Sequence, residues 1–208
     1  MKTRRPVVVG LTGSIGMGKT ETAGMFARLG IPVHDADAAV HRLYEPGGRA
    51  IAAIADAFPD CVQKGRVERA RLSARVHSDK IAFARLEAIV HPLVAQEQQA
   101  FIEQATARRA DIVVLDVPLL FETGAQSRMD AVVVVSAPGE IQRVRVLARP
   151  GMSEEILDHI LQRQMPDVDK RTRAQFVVET GNGFDHAFGQ VESIVSALRA
   201  QRRNGGNA

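Results

Sequence analysis

The sequence predicts an α/β fold, a parallel sheet flanked by helices, and three observations carry that prediction. Short apolar runs rich in β-branched residues recur at 7–11, 31–34, 112–117 and 131–135, the pattern of strands buried on both faces. Helical periodicity fills the intervals between them, giving the strand-helix-strand order of a doubly wound core. A glycine-rich segment joins the first strand to the first helix.

That segment, 13–20, reads Gly-Ser-Ile-Gly-Met-Gly-Lys-Thr, a complete G-x-x-x-x-G-K-[ST] loop between a strand and a helix over 21–29. A polyphosphate needs several donors converging without obstruction, and glycine-rich backbone at a helix N-terminus supplies N–H groups and the positive end of the helix dipole. The expected fold is therefore that of a P-loop NTPase. ATP-binding residues are Gly13, Ser14, Ile15, Gly16, Met17, Gly18, Lys19, Thr20 and Glu21, with Lys19 reaching the β- and γ-phosphates and the Thr20 hydroxyl completing the shell of Mg²⁺.

The second strand leads into Asp35-Ala36-Asp37. Ligands of open parallel sheets sit beyond the carboxyl ends of the strands, so both carboxylates are candidates for a catalytic base, and either can instead cap the helix starting near Ala38. Asp37 is the choice for the base that accepts the proton of an acceptor hydroxyl. The interval 45–109 is poor in strand signals. Ile51, Ile54 and Phe58, then Ile81, Leu86, Ile89 and Val90, recur at helical spacing and predict a helical, acceptor-binding insertion. Within it His91-Pro92 interrupts the pattern, with proline suited to the first turn of a new helix.

The third strand ends on Asp116, the place of a Walker-B carboxylate that holds magnesium through water, and Pro118-Leu119-Leu120-Phe121-Glu122 forces a loop there. The segment 149–175 begins with Pro150-Gly151, offers Ser153 as N-cap before Glu154 and Glu155, and stops a helix at Pro166. It is read as a lid. Arginines crowd its approach, and Arg145 and Arg149 are those expected to touch nucleotide, Arg145 as a catalytic cation. A fifth strand at 176–178 and a helix through Phe184, Phe188, Val191, Ile194, Val195 and Leu198 close the chain. The nucleotide-binding core thus comprises 1–44, 110–148 and 176–202, with a disordered tail at 203–208.

Composition narrows the class. The chain has 208 residues, a net charge of +3 and one cysteine. One cysteine excludes an intramolecular disulfide and a cysteine-rich zinc site, and agrees with a reducing cytoplasm. The charge is too modest and dispersed for a nucleic-acid footprint. The apolar stretch behind the basic start is too short for a signal peptide, and no run reaches membrane-spanning length. The expectation is a cytoplasmic monomer or weak homo-oligomer with a small-molecule substrate.

The ordered set of motifs resembles the dephospho-coenzyme A kinase family: 11–20 (LTGSIGMGKT), Asp35-Ala36-Asp37, His91-Pro92-Leu93, 116–122 (DVPLLFE), then Arg145 and Arg149 before Gln164-Met165. The resemblance spans 7 to about 195. It implies ATP-dependent phosphorylation of the ribose 3′-hydroxyl of dephospho-CoA, with Asp37, His91, Pro118, Leu119, Phe121 and Glu122 on the acceptor side. It also implies Thr20 and Asp116 at magnesium, and Asn182 on the adenine side. Met17 departs from the family's usual loop residues, as do Gln175 and Thr180-Gly181 near the end. The alternative is another P-loop kinase, shikimate- or nucleoside-kinase-like. A regulatory GTPase is disfavoured because no Asn-Lys-x-Asp or Thr-Lys-x-Asp segment is present to read guanine.

Overall fold

The computed structural model describes residues 4–77 and 79–204. They divide into two compact units, one built from 4–34 and 102–204, the other spanning Asp35–Phe101.

The larger unit is organised on a five-stranded sheet whose strands are β1 (Val7–Thr12), β2 (Val33–Asp35), β5 (Ile112–Asp116), β6 (Ala131–Ser136) and β7 (Phe176–Glu179), in the spatial order β2-β5-β1-β6-β7. β1 pairs in parallel with β5 on one side and β6 on the other, and β6 pairs in parallel with β7. The period-two geometry of β6 distributes its side chains to both faces. Ala131, Val133 and Val135 join the cluster formed with α1 (Lys19–Arg28) and α9 (Phe184–Asn204), which includes Phe26, Val191 and Leu198. Val132 and Val134 join a second cluster with Leu120, Phe121 and Ala125. Fully buried side chains such as Phe26 and Leu198 contribute about 2–3 kcal/mol each. This double burial explains why the strands read as unbroken apolar runs.

In the smaller unit α2 (Ala36–Tyr44), α3 (Ile51–Ala57), α4 (Arg69–His77) and the first part of α5 (Lys80–Ala107) enclose a separate core containing Leu43, Ile54, Phe58, Leu72 and Val90. A small hairpin, β3 (Val62–Gln63) and β4 (Arg66–Val67), also belongs to it. Its turn places Lys64 and Gly65 at φ 49° and 72°, the left-handed pair of a tight hairpin turn.

Three expectations need correction. The compact unit begins at Asp35 and ends at Phe101, whereas helical spacing suggests 45–109. His91-Pro92 does not separate two helices, because α5 runs through Pro92. Proline in a helix interior costs about 3 kcal/mol, offset here by Leu86, Ile89, Val90 and Leu93, all packed into the unit's core. Finally, Arg203 and Asn204 are the last residues of α9 rather than a tail; the rest of the expected tail, 205–208, lies outside the described residues.

Candidate active site

The loop following β1 is shaped by two glycines in the left-handed region, Gly16 at φ 77° and Gly18 at φ 94°, where a Cβ is strongly disfavoured. Gly18 immediately precedes α1. Five of the loop's carbonyl oxygens, those of 14–18, are taken by donors. Ser14 O accepts from Met17 N at 3.2 Å, Ile15 O from Gln142 Nε2 at 2.7 Å, and Gly16 O from Arg145 Nη1 at 3.5 Å. Met17 O accepts from Thr180 Oγ1 at 2.7 Å, and Gly18 O from Thr22 N and Oγ1, both at 3.1 Å. In a trans peptide the C=O and the next N–H point opposite ways. Tying these carbonyls outward therefore turns the amides of Gly16, Gly18 and Lys19 to the concave side, where the dipole of α1 adds to them.

Arg145 and Thr180 form the clamp behind this arrangement. The guanidinium donates to Thr180 Oγ1 at 2.9 Å and to Thr180 O at 2.8 Å, while the same hydroxyl donates to Met17 O. Met17 is itself buried, and its sulfur meets the Ala137 amide at 3.1 Å. Its side chain thus serves the core.

Sheet register brings the acid to the loop. β1 and β5 place Leu11 opposite Asp116, so the buried carboxylate at the end of β5 lies beside the start of the loop and pairs with Lys19 Nζ. Thr20 is exposed in the first turn of α1. Thr20 and Asp116 are hard oxygen donors, the type that suits Mg²⁺.

Next to the loop is a cleft of about 360 Å³ lined by Gly16, Gly18, Glu21, Arg145, Arg149, Thr180, Gly183 and Phe184, among others. Phe184 is partly exposed and stacks on Phe188, with ring centroids 5.9 Å apart, and the Arg28 guanidinium sits 4.9 Å from its centroid. The volume is within the range of small-ligand sites. Asn182 is exposed but does not line the cleft.

The loop after β5 has a different character. Pro118 O accepts from Thr12 Oγ1 at 2.9 Å, and Leu119 is 42% exposed. Phe121, expected at the acceptor, is buried in the cluster around Leu120. Glu122, also expected there, is turned to α8 (Asp167–Arg173): Lys170 Nζ lies 2.8 Å from its Oε1, and the Met165 amide donates to the same oxygen at 2.7 Å. Burial acts to raise the Glu122 carboxyl, but the hydrogen bonds from Lys170 and the Met165 amide outweigh it and hold the group below its usual range.

The remaining candidates belong to the smaller unit. Asp35 caps α2 by accepting from Ala38 N at 2.9 Å, which leaves Asp37, exposed in the first turn, as the unassigned carboxylate of the pair. His91 is exposed on α5, with Nε2 3.7 Å from Glu87 Oε1 one turn earlier. Three residues that shape the loop were not readable as site residues: Gln142, Gln164 and Thr180. Thr180 stands out in the sequence only as a departure from a family pattern, and Gln164 only as a motif letter.

A parallel sheet that brings a phosphate loop together with its lysine and a strand-end carboxylate has the architecture of the P-loop kinases. The dephospho-CoA kinase family model matches residues 7–185. A dephospho-CoA kinase of Mesorhizobium japonicum is 54% identical over 196 residues, covering 94% of this chain and 98% of that one. A crystal structure from Thermus thermophilus superposes with a TM-score of 0.82 at 34% identity, covering 93% and 98% of the two chains. The dephospho-CoA kinase of Campylobacter jejuni shares the fold, with a TM-score of 0.63 at 18% identity over 92% and 96%. The chain belongs to the dephospho-CoA kinase family.

Proposed function

We propose that the protein transfers the γ-phosphoryl group of ATP to the ribose 3′-hydroxyl of dephospho-CoA, giving CoA and ADP, the final step of coenzyme A biosynthesis. The observation that carries the reading is the phosphate loop whose carbonyls are tied outward, beside the Lys19–Asp116 pair. Family membership favours this acceptor over a shikimate- or nucleoside-type alternative.

In this reading the amides of Gly16, Gly18 and Lys19 bind the phosphate oxygens, with Gly13, Ser14, Ile15, Met17 and Glu21 completing the loop and its first helical turn. The cleft walled by Thr180, Gly183 and Phe184 takes the base, with Asn182 left at its margin. Lys19 neutralises charge on the β- and γ-phosphates, Arg145 braces the loop from behind, and Arg149 closes over the nucleotide. Asp37 accepts the proton as the ribose 3′-oxygen attacks the γ-phosphorus and the bond to the β,γ-bridging oxygen breaks. His91, Pro118 and Leu119 contact the acceptor. Thr20, and Asp116 through water, would hold Mg²⁺, which supplies charge neutralisation of the phosphates when bound. A monomer suffices for all these roles. The helices of the described residues include none long and apolar enough to cross a membrane, and a cytoplasmic location fits consumption of ATP.

The test is product identification by mass spectrometry after incubation with Mg-ATP and dephospho-CoA, alongside a chelator control. Magnesium-dependent appearance of CoA and ADP is the expected result. ATP binding without CoA formation would retain the phosphate loop and reject the acceptor.

A further inference from the structure

Ile15 is gripped from two helices. Its carbonyl accepts from Gln142 Nε2 at 2.7 Å, and its amide donates to Gln164 Oε1 at 3.1 Å. Gln142 is buried within α6 (Gly139–Leu147). Gln164 is the C-cap of α7 (Glu154–Arg163), at the boundary between two very different segments. On its C-terminal side the chain is bolted down: Met165 N bonds to Glu122 Oε1, Asp167 Oδ2 accepts from Ser136 Oγ at 2.7 Å, and Lys170 pairs with Glu122. On its N-terminal side α7 buries only Leu157 and reaches α6 through surface pairs of Arg143 with Glu154 and Asp158. Such exposed pairs contribute little.

We infer that Gln164 is a positioning residue for the phosphate loop: its side-chain oxygen fixes the Ile15 amide and so links the C-terminal end of α7 to the phosphates of the nucleotide. The inference deepens the function proposed above and rests on that reading of loop 13–20. With Ile15 held on both sides, the following peptide keeps the Gly16 amide on the concave face. The anchored stretch 164–170 is the fixed base from which Gln164 reaches. The part of the 149–175 segment able to move is then α7, with α8 fastened to the sheet. Glutamine suits the place because it accepts a hydrogen bond without bringing negative charge to a polyphosphate site; glutamate would accept the same bond and repel the ligand.

The experiment compares Gln164→Ala and Gln164→Glu with the parent protein by amide hydrogen exchange at Ile15 without nucleotide, and by KM for ATP, KM for dephospho-CoA and kcat. Loss of the acceptor in Gln164→Ala is expected to speed Ile15 exchange and to raise KM for ATP about fivefold to tenfold, the scale of one hydrogen bond, leaving KM for dephospho-CoA unchanged. Gln164→Glu is expected to keep Ile15 protected yet to raise KM for ATP, more so at low ionic strength. Parent-like Ile15 exchange in Gln164→Ala overturns the inference, as does a parallel rise in KM for both substrates, which a merely structural residue would produce. The exchange readout needs no turnover, so failure of the parent protein to form CoA would defeat the proposed function while still reporting on the clamp.

Discussion

Two loops leave neighbouring parallel strands, 13–18 after β1 and 117–124 after β5, and they are built in opposite senses. The first hands its carbonyl oxygens to Gln142, Arg145, Thr180 and Thr22, and so keeps amides available on its concave side. The second turns inward: Leu120 and Phe121 are 0% and 6% exposed, and Glu122 is committed to Lys170 and the Met165 amide. A ligand loop needs its backbone held by groups from elsewhere, whereas an anchoring loop spends its own side chains on the core. Position at the strand ends does not by itself make a residue part of the chemistry.

The two loops should differ most in how they depend on Lys19 and Lys170. Lys19→Met should lower kcat/KM by about 10²- to 10³-fold, the scale of removing one charge-stabilising group, and should weaken nucleotide binding measured by calorimetry. Unchanged nucleotide affinity would remove Lys19 from the phosphates. Lys170→Met should instead act on stability. Removing one partner of a buried pair leaves Glu122 uncompensated and costs about 3 kcal/mol, or roughly 6–12 °C in thermal midpoint for a chain of this size. Its kcat per folded molecule should stay at the parent value. A large loss of kcat with an unchanged midpoint would place Glu122 in the active site after all.

A smaller effect is expected at Thr180. Thr180→Val keeps the branched shape and deletes the hydroxyl that bridges Arg145 and Met17 O. Loss of this bridge should raise the dissociation constant for ATP about tenfold, equivalent to about 1.4 kcal/mol. An unchanged constant would show that the clamp does not shape the loop.

What the sequence made legible follows the same division. Strands buried on both faces announce themselves as apolar runs, and the loop 13–20 declares its chemistry because the requirement for glycine and lysine is local. The Arg145–Thr180 clamp and the grip of Gln142 and Gln164 on Ile15 join residues far apart in the chain, and no spacing rule records them. Phe121 and Glu122 follow Asp116 closely enough to look like acceptor contacts; only the return of α8, carrying Lys170, gives Glu122 its partner. Pro92 reads as a break because its missing N–H is visible in the sequence, while the packing that carries α5 through it is not. The β3–β4 hairpin escapes periodicity, having two residues in each strand.

The finest distinction between the two loops is electrostatic and appears on acidification. The Glu122 carboxyl is held below its ordinary value of 4.5 in the folded protein, so the unfolded chain takes up its proton first as pH falls. The stabilisation is fully present above about pH 4.5 and is lost as pH drops through the lower, folded value, with a slope for one proton of at most about 1.4 kcal/mol per pH unit. Asp79 and Asp111 are also held low and add slope of the same sign. They are common to parent and variant, so the difference between the two profiles isolates Glu122. Glu122→Gln should begin from a lower midpoint, because Lys170 has lost its counter-charge, and should fall less steeply in thermal melts as pH drops below about 4.5. Parallel profiles would mean that Glu122 binds its proton equally in both states and that the Lys170 pair contributes nothing to the anchoring of α8.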